Sequence, residues 1–289
     1  MPLHYRHVDV FADKAYTGNS LAVFPDSSSL STGQMLTITQ ELRHFEAIFL
    51  SGTEGSHRVT ARVFDLFEEL DFAGHPVLGA AAVLHERDGA PGPRRWTFHL
   101  SGRTVEVSTR RTADGYHADL DQGAPEFLAT VPTQDRAGIA AALNLPVRAL
   151  ADLPLEVVST GLRYLVVPVV SGLPEARIVP GDFAEVVGRY GAQFAYVLDV
   201  QALEGRHWNN DGVLEDVATG SAAGCVGAYL ARHRVVPAEK EFVLRQGRFT
   251  GRPSRLSVLP QGRPDALRNV RVGGAVSLVA RGTLDTLPE

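Results

Sequence analysis

Residues 71–81 read DFAGHPVLGAA. An alternating, strand-like stretch ends here, the chain turns on Gly74, and a run of small apolar residues begins with Pro76 in its first turn. This is the pattern of a helix start: proline's missing N–H costs nothing where the first N–H groups have no intrahelical acceptor. Open N–H groups at the positive end of a helix attract anions, so a small carboxylate is the first ligand to consider. One such junction more often only satisfies local geometry. It recurs, however. Placing Gly74 on Gly220, an offset of 146, aligns EELDFAGHPVLGAAAVLHER with LEDVATGSAAGCVGAYLARH without a gap. Glu69 then falls on Glu215, Ala82 on Ala228 and Leu84 on Leu230, and the offset is about half of the 289 residues, the pattern of a duplicated unit.

Both helices are small or apolar around much of their girth (Val77, Leu78 and Val83 in one; Ala222, Val226 and Tyr229 in the other), which implies burial inside a wrapping sheet. If two halves pack face to face, both helix starts can open on one cleft and together hold a carboxylate. Outward from the first helix, 4–12, 19–24, 45–50 and 57–67 read as strands, with Ser31 or Thr32 capping a helix that carries Met35, Ile38 and Leu42. RRWTFHL, TVEVSTR and YHADLDQ follow as strands. The second half repeats the plan: a helix in TQDRAGIAAAL capped by Thr133, strands in EVVSTG and RYLVVPVV, and a helix in PGDFAEVVGRY with Pro180 near its start. The turn-rich QGAPEFLATVP at 122–132 is the expected boundary. It gives an N-terminal half of 1–122, completed by a C-terminal strand at about 277–289, and a second half of 123–276.

A net charge of −5 and a sequence pI of about 6.1 disfavour nucleic acid and anionic membrane surfaces as partners. The single cysteine, Cys225, excludes an intramolecular disulfide framework and a cysteine zinc cluster, and fits a reducing cytoplasm. The N-terminal stretch lacks a signal peptide's apolar core, and apolar runs such as LVVPVV are too short to cross a bilayer. His4 and His7 fall on opposite faces of a strand, and Gly18, Gly52 and Gly55 read as ordinary turns, not phosphate loops. Neither a metal nor a nucleotide cofactor is expected.

Four residues carry polar chemistry in suggestive places. Glu46 sits among Phe45, Ala47, Ile48 and Phe49, an apolar setting that raises a carboxyl's pKa and suits it to proton transfer. On sequence alone an edge-strand glutamate facing water is the simpler reading. Asp216 reads equally as a cap for the helix that follows, and Glu215 beside it points the other way. His75 and Ser221 hold equivalent helix-start positions, where a lone histidine is more often a cap or a surface group.

The sequence resembles the PhzF family, the phenazine-biosynthesis-like isomerases, within the diaminopimelate epimerase and proline racemase fold group. The resemblance runs along the chain: VDVFADKAYTGNSLAVF, HFEAIFL, LDFAGHPVLGAA, VSTGLRYLVVPV, LEDVATGSAAG, RQGRFTGRPSRL and VRVGGAVSLVARG. It implies an α+β fold of two similar halves, each a bent, mostly antiparallel sheet wrapped around a central helix. It also implies a cofactor-independent isomerase acting on a small, cyclic carboxylic acid, a homodimer in the cytoplasm. Glu46 would be the catalytic acid/base, with His75 a general acid or donor and Asp216 modulating Glu46 or orienting substrate. Ser221 and the backbone at Gly74 and Gly220 would bind the carboxylate, and Asn19, in a turn near the cleft, would also contact the substrate. The reference reaction is the isomerisation of trans-2,3-dihydro-3-hydroxyanthranilate, in which Glu46 removes a proton at one ring carbon and returns one at another. Racemases of this fold group carry a thiol before each glycine; this chain has Ala73 and Thr219, so two-thiol racemisation is unavailable. Val217 stands where the family has proline and Ala47 where it has threonine, which bears on the substrate. The competing readings are a dehydratase or double-bond-shifting enzyme on another acid, and a small-acid binding protein without turnover. Glu46 favours catalysis, since carboxylate capture does not call for a second carboxylate nearby.

Overall fold

The computed structural model describes residues 2–52 and 57–289; Gly55, expected in a turn, lies outside them. The chain forms two compact units, Met1–Asp121 with Gly273–Glu289, and Gln122–Val272.

In the first unit β1 (Leu3–Val10) and β2 (Asn19–Phe24) are antiparallel. Helix α1 (Thr32–Leu42) crosses to β3 (Glu46–Ser51), which runs parallel to β2 and antiparallel to β4 (Arg58–Asp65). Ser31 caps α1: its side chain accepts from the Gln34 N–H while the Gln34 side chain accepts from the Ser31 N–H. The short β5 (Glu69–Leu70) leads into α2 (Gly74–Asp88), followed by β6 (Arg94–His99), β7 (Thr104–Arg111) and β8 (Tyr116–Asp121). The chain's last strand pairs with both β8 and β1, so the ring of strands closes. Helix α2 fills it, burying every residue from His75 to His85. Close approach demands glycine at position 79, where a Cβ would lie 2.5 Å from Leu21 Cδ2. Outside the ring, α1 covers a stack in which Phe49 lies 4.6 Å from Phe24 and meets Phe64 edge-on.

The second unit repeats this order. After β9 (Glu126–Thr130) and α3 (Arg136–Ala142), β10 (Glu156–Ser159) and β11 (Arg163–Val169) are antiparallel. Helix α4 (Phe183–Gly188) crosses to β12 (Phe194–Asp199), parallel to β11 and antiparallel to β13 (Glu204–Arg206). The central helix α5 (Gly220–Arg232) follows, then β14 (Phe242–Gln246), β15 (Ser254–Arg263) and β16 (Ala266–Leu284), whose residues 266–272 belong here. Gly227 plays the part of Gly79: a Cβ there would meet Val258 Cγ1 at 2.4 Å. The fold class is therefore α+β, in two units each built as a bent, mostly antiparallel sheet around a central helix.

Three local expectations are corrected. Thr133 does not cap α3, because it opens a 3-10 turn, Thr133–Asp135, that runs directly into the helix. Pro180 lies ahead of α4, which begins after Asp182, since the preceding backbone is tied to α3 by the Val179 N–H donating to the Ala142 carbonyl. Residues 126–130 within the expected boundary segment form strand β9 and pair with β10.

Candidate active site

Glu46 opens β3, between Leu21 of β2 and Asp65 of β4, so it is on an interior strand and not at an edge. Only 8% of it is exposed. Strand alternation places Glu46 on the face of Ile48 and Leu50, toward α2, and Ala47 with Phe49 on the opposite face, toward α1. The expected enclosure by Phe49 is thus replaced by the helix start. His75, second residue of α2 and 6% exposed, brings Nδ1 to 3.5 Å from Glu46 Oε2. Ala73 is the N-cap, extended at φ −142° and ψ 140°, and supplies no side-chain cap to the helix. Asn19, expected in a turn, is the first residue of β2, paired with Val10 and 3% exposed.

In the second unit Ser221 is likewise the second helical residue, and its Oγ lies 2.9 Å from the Tyr164 hydroxyl on β11. Thr219 is the N-cap of α5, yet its side chain does not cap the helix. Its hydroxyl donates to Asp216 Oδ2 at 2.7 Å, while the Ala218 N–H reaches Oδ1 at 3.3 Å. Asp216 therefore braces the turn before the helix and is not the helix cap. Gln246, at the end of β14, spans the same turn: its Oε1 accepts from the Thr219 N–H, and its Nε2 donates to the Asp216 carbonyl at 2.8 Å.

An arginine–glutamate pair anchors each turn. Arg62 holds both carboxylate oxygens of Glu69, and Arg206 holds both of Glu215 at 2.9 and 2.7 Å. Hydrogen bonding to Glu69 raises the pKa of Arg62. Arg206 also donates through Nη1 to the carbonyls of Leu173, Pro174 and Ala176. Glu215 is thus committed to its arginine. Register from these pairs matches the two units residue by residue. Arg62 faces Phe49 and Arg206 faces Val197, and three residues back along the strand stand Glu46 in one unit and Phe194 in the other. Leu21 beside Glu46 corresponds in the same way to Tyr164 beside Phe194.

His207 packs edge-on to Tyr164, with ring centroids 5.5 Å apart. Its Nδ1 meets the Ala195 carbonyl at 3.0 Å, so that nitrogen carries the proton, and burial lowers its pKa and keeps the ring neutral. Cys225 is buried a turn into α5, where desolvation pushes its thiol up to about 11; it is held as inert packing. Tyr164, His207 and Gln246 were absent from the expected site. Tyr164 and Gln246 lie within the recognised stretches at 158–169 and 245–256, but neutral side chains there give no sequence sign of a role. Among the described residues, no three or more His, Cys, Asp or Glu side chains cluster so as to hold a metal ion, and no helix is long and apolar enough to cross a membrane.

Comparison with known proteins gives the family. Residues 8–282 match the PhzC-PhzF family model, described as phenazine biosynthesis-like protein. A trans-2,3-dihydro-3-hydroxyanthranilate isomerase of Pseudomonas chlororaphis is 30% identical over 97% of this chain and 99% of its own. The structure of a predicted epimerase from Pseudomonas aeruginosa superposes with a TM-score of 0.91 at 47% identity, covering 98% of this chain and 99% of that one. A PhzF-family protein of Bacillus anthracis, 22% identical, shares the fold at a TM-score of 0.85, over 98% and 99% of the two chains. The chain is an enzyme, an isomerase, and it belongs to the phenazine biosynthesis-like PhzC-PhzF family.

Proposed function

We propose that the protein isomerises a small carboxylic acid without a cofactor, with Glu46 moving a proton between two carbons of the substrate. The observation that carries this reading is the Glu46–His75 pair, two buried ionisable side chains 3.5 Å apart at a helix start that has no side-chain cap. Backbone N–H groups at the start of α2, around Gly74, suit a substrate carboxylate. His75 serves as hydrogen-bond donor to a substrate oxygen beside Glu46. Asp216 and Ser221, with the backbone at Gly220, are proposed to orient the substrate. The P. chlororaphis relative supports trans-2,3-dihydro-3-hydroxyanthranilate as the first compound to try.

In the reaction Glu46 takes a proton from one carbon, the electron pair moves through the adjacent double bond, and the proton is returned at the far carbon, so no atoms are gained or lost. The test is to incubate enzyme with this compound in deuterated water and follow the product by NMR. The expected result is a shifted double bond, with deuterium at the far carbon wherever Glu46 exchanges with solvent, and a rate lowered on the order of a hundredfold or more by Glu46→Gln although the acid still binds. Turnover by the glutamine variant near the wild-type rate overturns the assignment. A second reading, inversion at a single carbon, is favoured by the 47% identical protein being called a predicted epimerase. It is distinguished by product with an unmoved double bond and inverted configuration.

A further inference from the structure

Gln246 is 1% exposed, and each of its amide hydrogen-bonding positions is filled. Two backbone groups of opposite polarity fix which way the amide points. The Thr219 N–H can only donate and meets Oε1 at 3.1 Å; the Asp216 carbonyl can only accept and meets Nε2 at 2.8 Å. The second lone pair of Oε1 accepts from the Tyr196 hydroxyl at 3.0 Å, and burial raises the Tyr196 pKa well above its ordinary value, so that group stays a donor. The second hydrogen of Nε2 goes to Thr219 Oγ1 at 2.9 Å. Because that oxygen receives a hydrogen from Gln246, its own hydrogen is directed at Asp216 Oδ2, 2.7 Å away.

We propose that Gln246 and Thr219 are positioning residues that hold the Asp216 carboxylate in its working orientation: Gln246 sets the direction of the Thr219 hydroxyl, and that hydroxyl fixes Oδ2. This also accounts for Thr219 leaving its helix uncapped, since the hydroxyl that would cap α5 is turned back to Asp216. The inference rests on the reading that Asp216 belongs to the active site.

The test uses the intact enzyme and two independent readouts. By proton NMR, wild type should show a slowly exchanging Thr219 hydroxyl resonance, absent from Thr219→Val, present in Thr219→Ser, and displaced in Gln246→Glu, which cannot donate from the Nε2 position. With trans-2,3-dihydro-3-hydroxyanthranilate as substrate, Thr219→Val should lower kcat by about tenfold, with KM little changed, the scale of one hydrogen bond to a charged group. Thr219→Ser should recover most of that loss. Gln246→Glu should match Thr219→Val, and the double variant should be no worse than either single one, because both break one chain of bonds. If Asp216→Asn is impaired while Thr219→Val turns over at the wild-type rate, the positioning role is overturned. If Asp216→Asn is unimpaired, or wild type does not act on this compound, the proposed site or substrate fails, and the hydroxyl resonance still decides the hydrogen-bond direction. Absence of a resonance that depends on both Thr219 and Gln246 overturns it.

Discussion

The starts of α2 and α5 are built on one plan and equipped differently. Each begins with glycine after an N-cap residue whose side chain does not cap, but Ala73 has no polar atom to offer, whereas Thr219 commits its hydroxyl to Asp216. Next to the second helical residue, the first unit sets a carboxylate, Glu46 beside His75; the second sets a neutral hydroxyl, Tyr164 beside Ser221. At the strand position of Glu46 the second unit carries Phe194, and at the repeat position of Asp216 the first carries Leu70. The two units share the scaffold and its arginine anchors and differ in where the ionisable groups lie. One helix start holds a pair fit for proton transfer, and the other holds neutral donors and acceptors around a carboxylate fixed by a turn.

The contrast breaks hardest at the anchors. Arg206 is buried and bound to Glu215 and three carbonyls, so Arg206→Ala leaves an uncompensated charge and should cost about 3–5 kcal/mol in denaturant unfolding. A loss under about 1 kcal/mol would mean that the anchor is not needed. Next comes chemistry: Glu46→Gln should lose on the order of a hundredfold or more in kcat, the usual scale of a general acid/base, while Phe194→Leu at the matching position should stay within about threefold. Comparable losses at both would show that position 46 matters for packing and not for its carboxyl.

A smaller effect concerns acidity. Burial holds the His207 pKa below its unfolded value of about 6.5, so its stabilising contribution is complete above that pH and is lost as pH falls toward the folded value. Unfolding free energies measured from pH 8 to 5 should decline on the acid side by at most about 1.4 kcal/mol per pH unit from this group, and His207→Phe should flatten that part. An identical slope in the variant would reject the assignment. The smallest effect is expected at Arg62→Ala, whose pair with Glu69 is roughly 30% exposed on both sides; solvent screening limits it to about 0–1 kcal/mol.

Much of the fold was legible because glycine and small residues leave a mark where a helix is sheathed: Gly74 and Gly220 opened both helices, and Gly79 and Gly227 meet strand side chains too closely for any Cβ. Strand β9 was hidden between Pro125 and Pro132, where its pairing with β10 overrides the turn signal. At the site, Glu46 and His75 stood out through the family resemblance and not through their own sequence setting, and the side that Glu46 faces follows from strand alternation and not from its neighbours in sequence. Gln246 left no trace because its effect comes from two backbone groups of opposite polarity, a juxtaposition that exists only once β14 lies beside the turn.

The closure of the first ring by residues 273–284 sets an order of events during synthesis. When Asp121 has been made, β1 and β8 each still lack the neighbour that joins them, and that neighbour is made only after the whole of Gln122–Val272. Gln122–Val272 can therefore finish its own sheet first, while the unit carrying Glu46 and His75 waits with α2 incompletely sheathed. The half that emerges first from the ribosome is therefore closed only after the second half has been made.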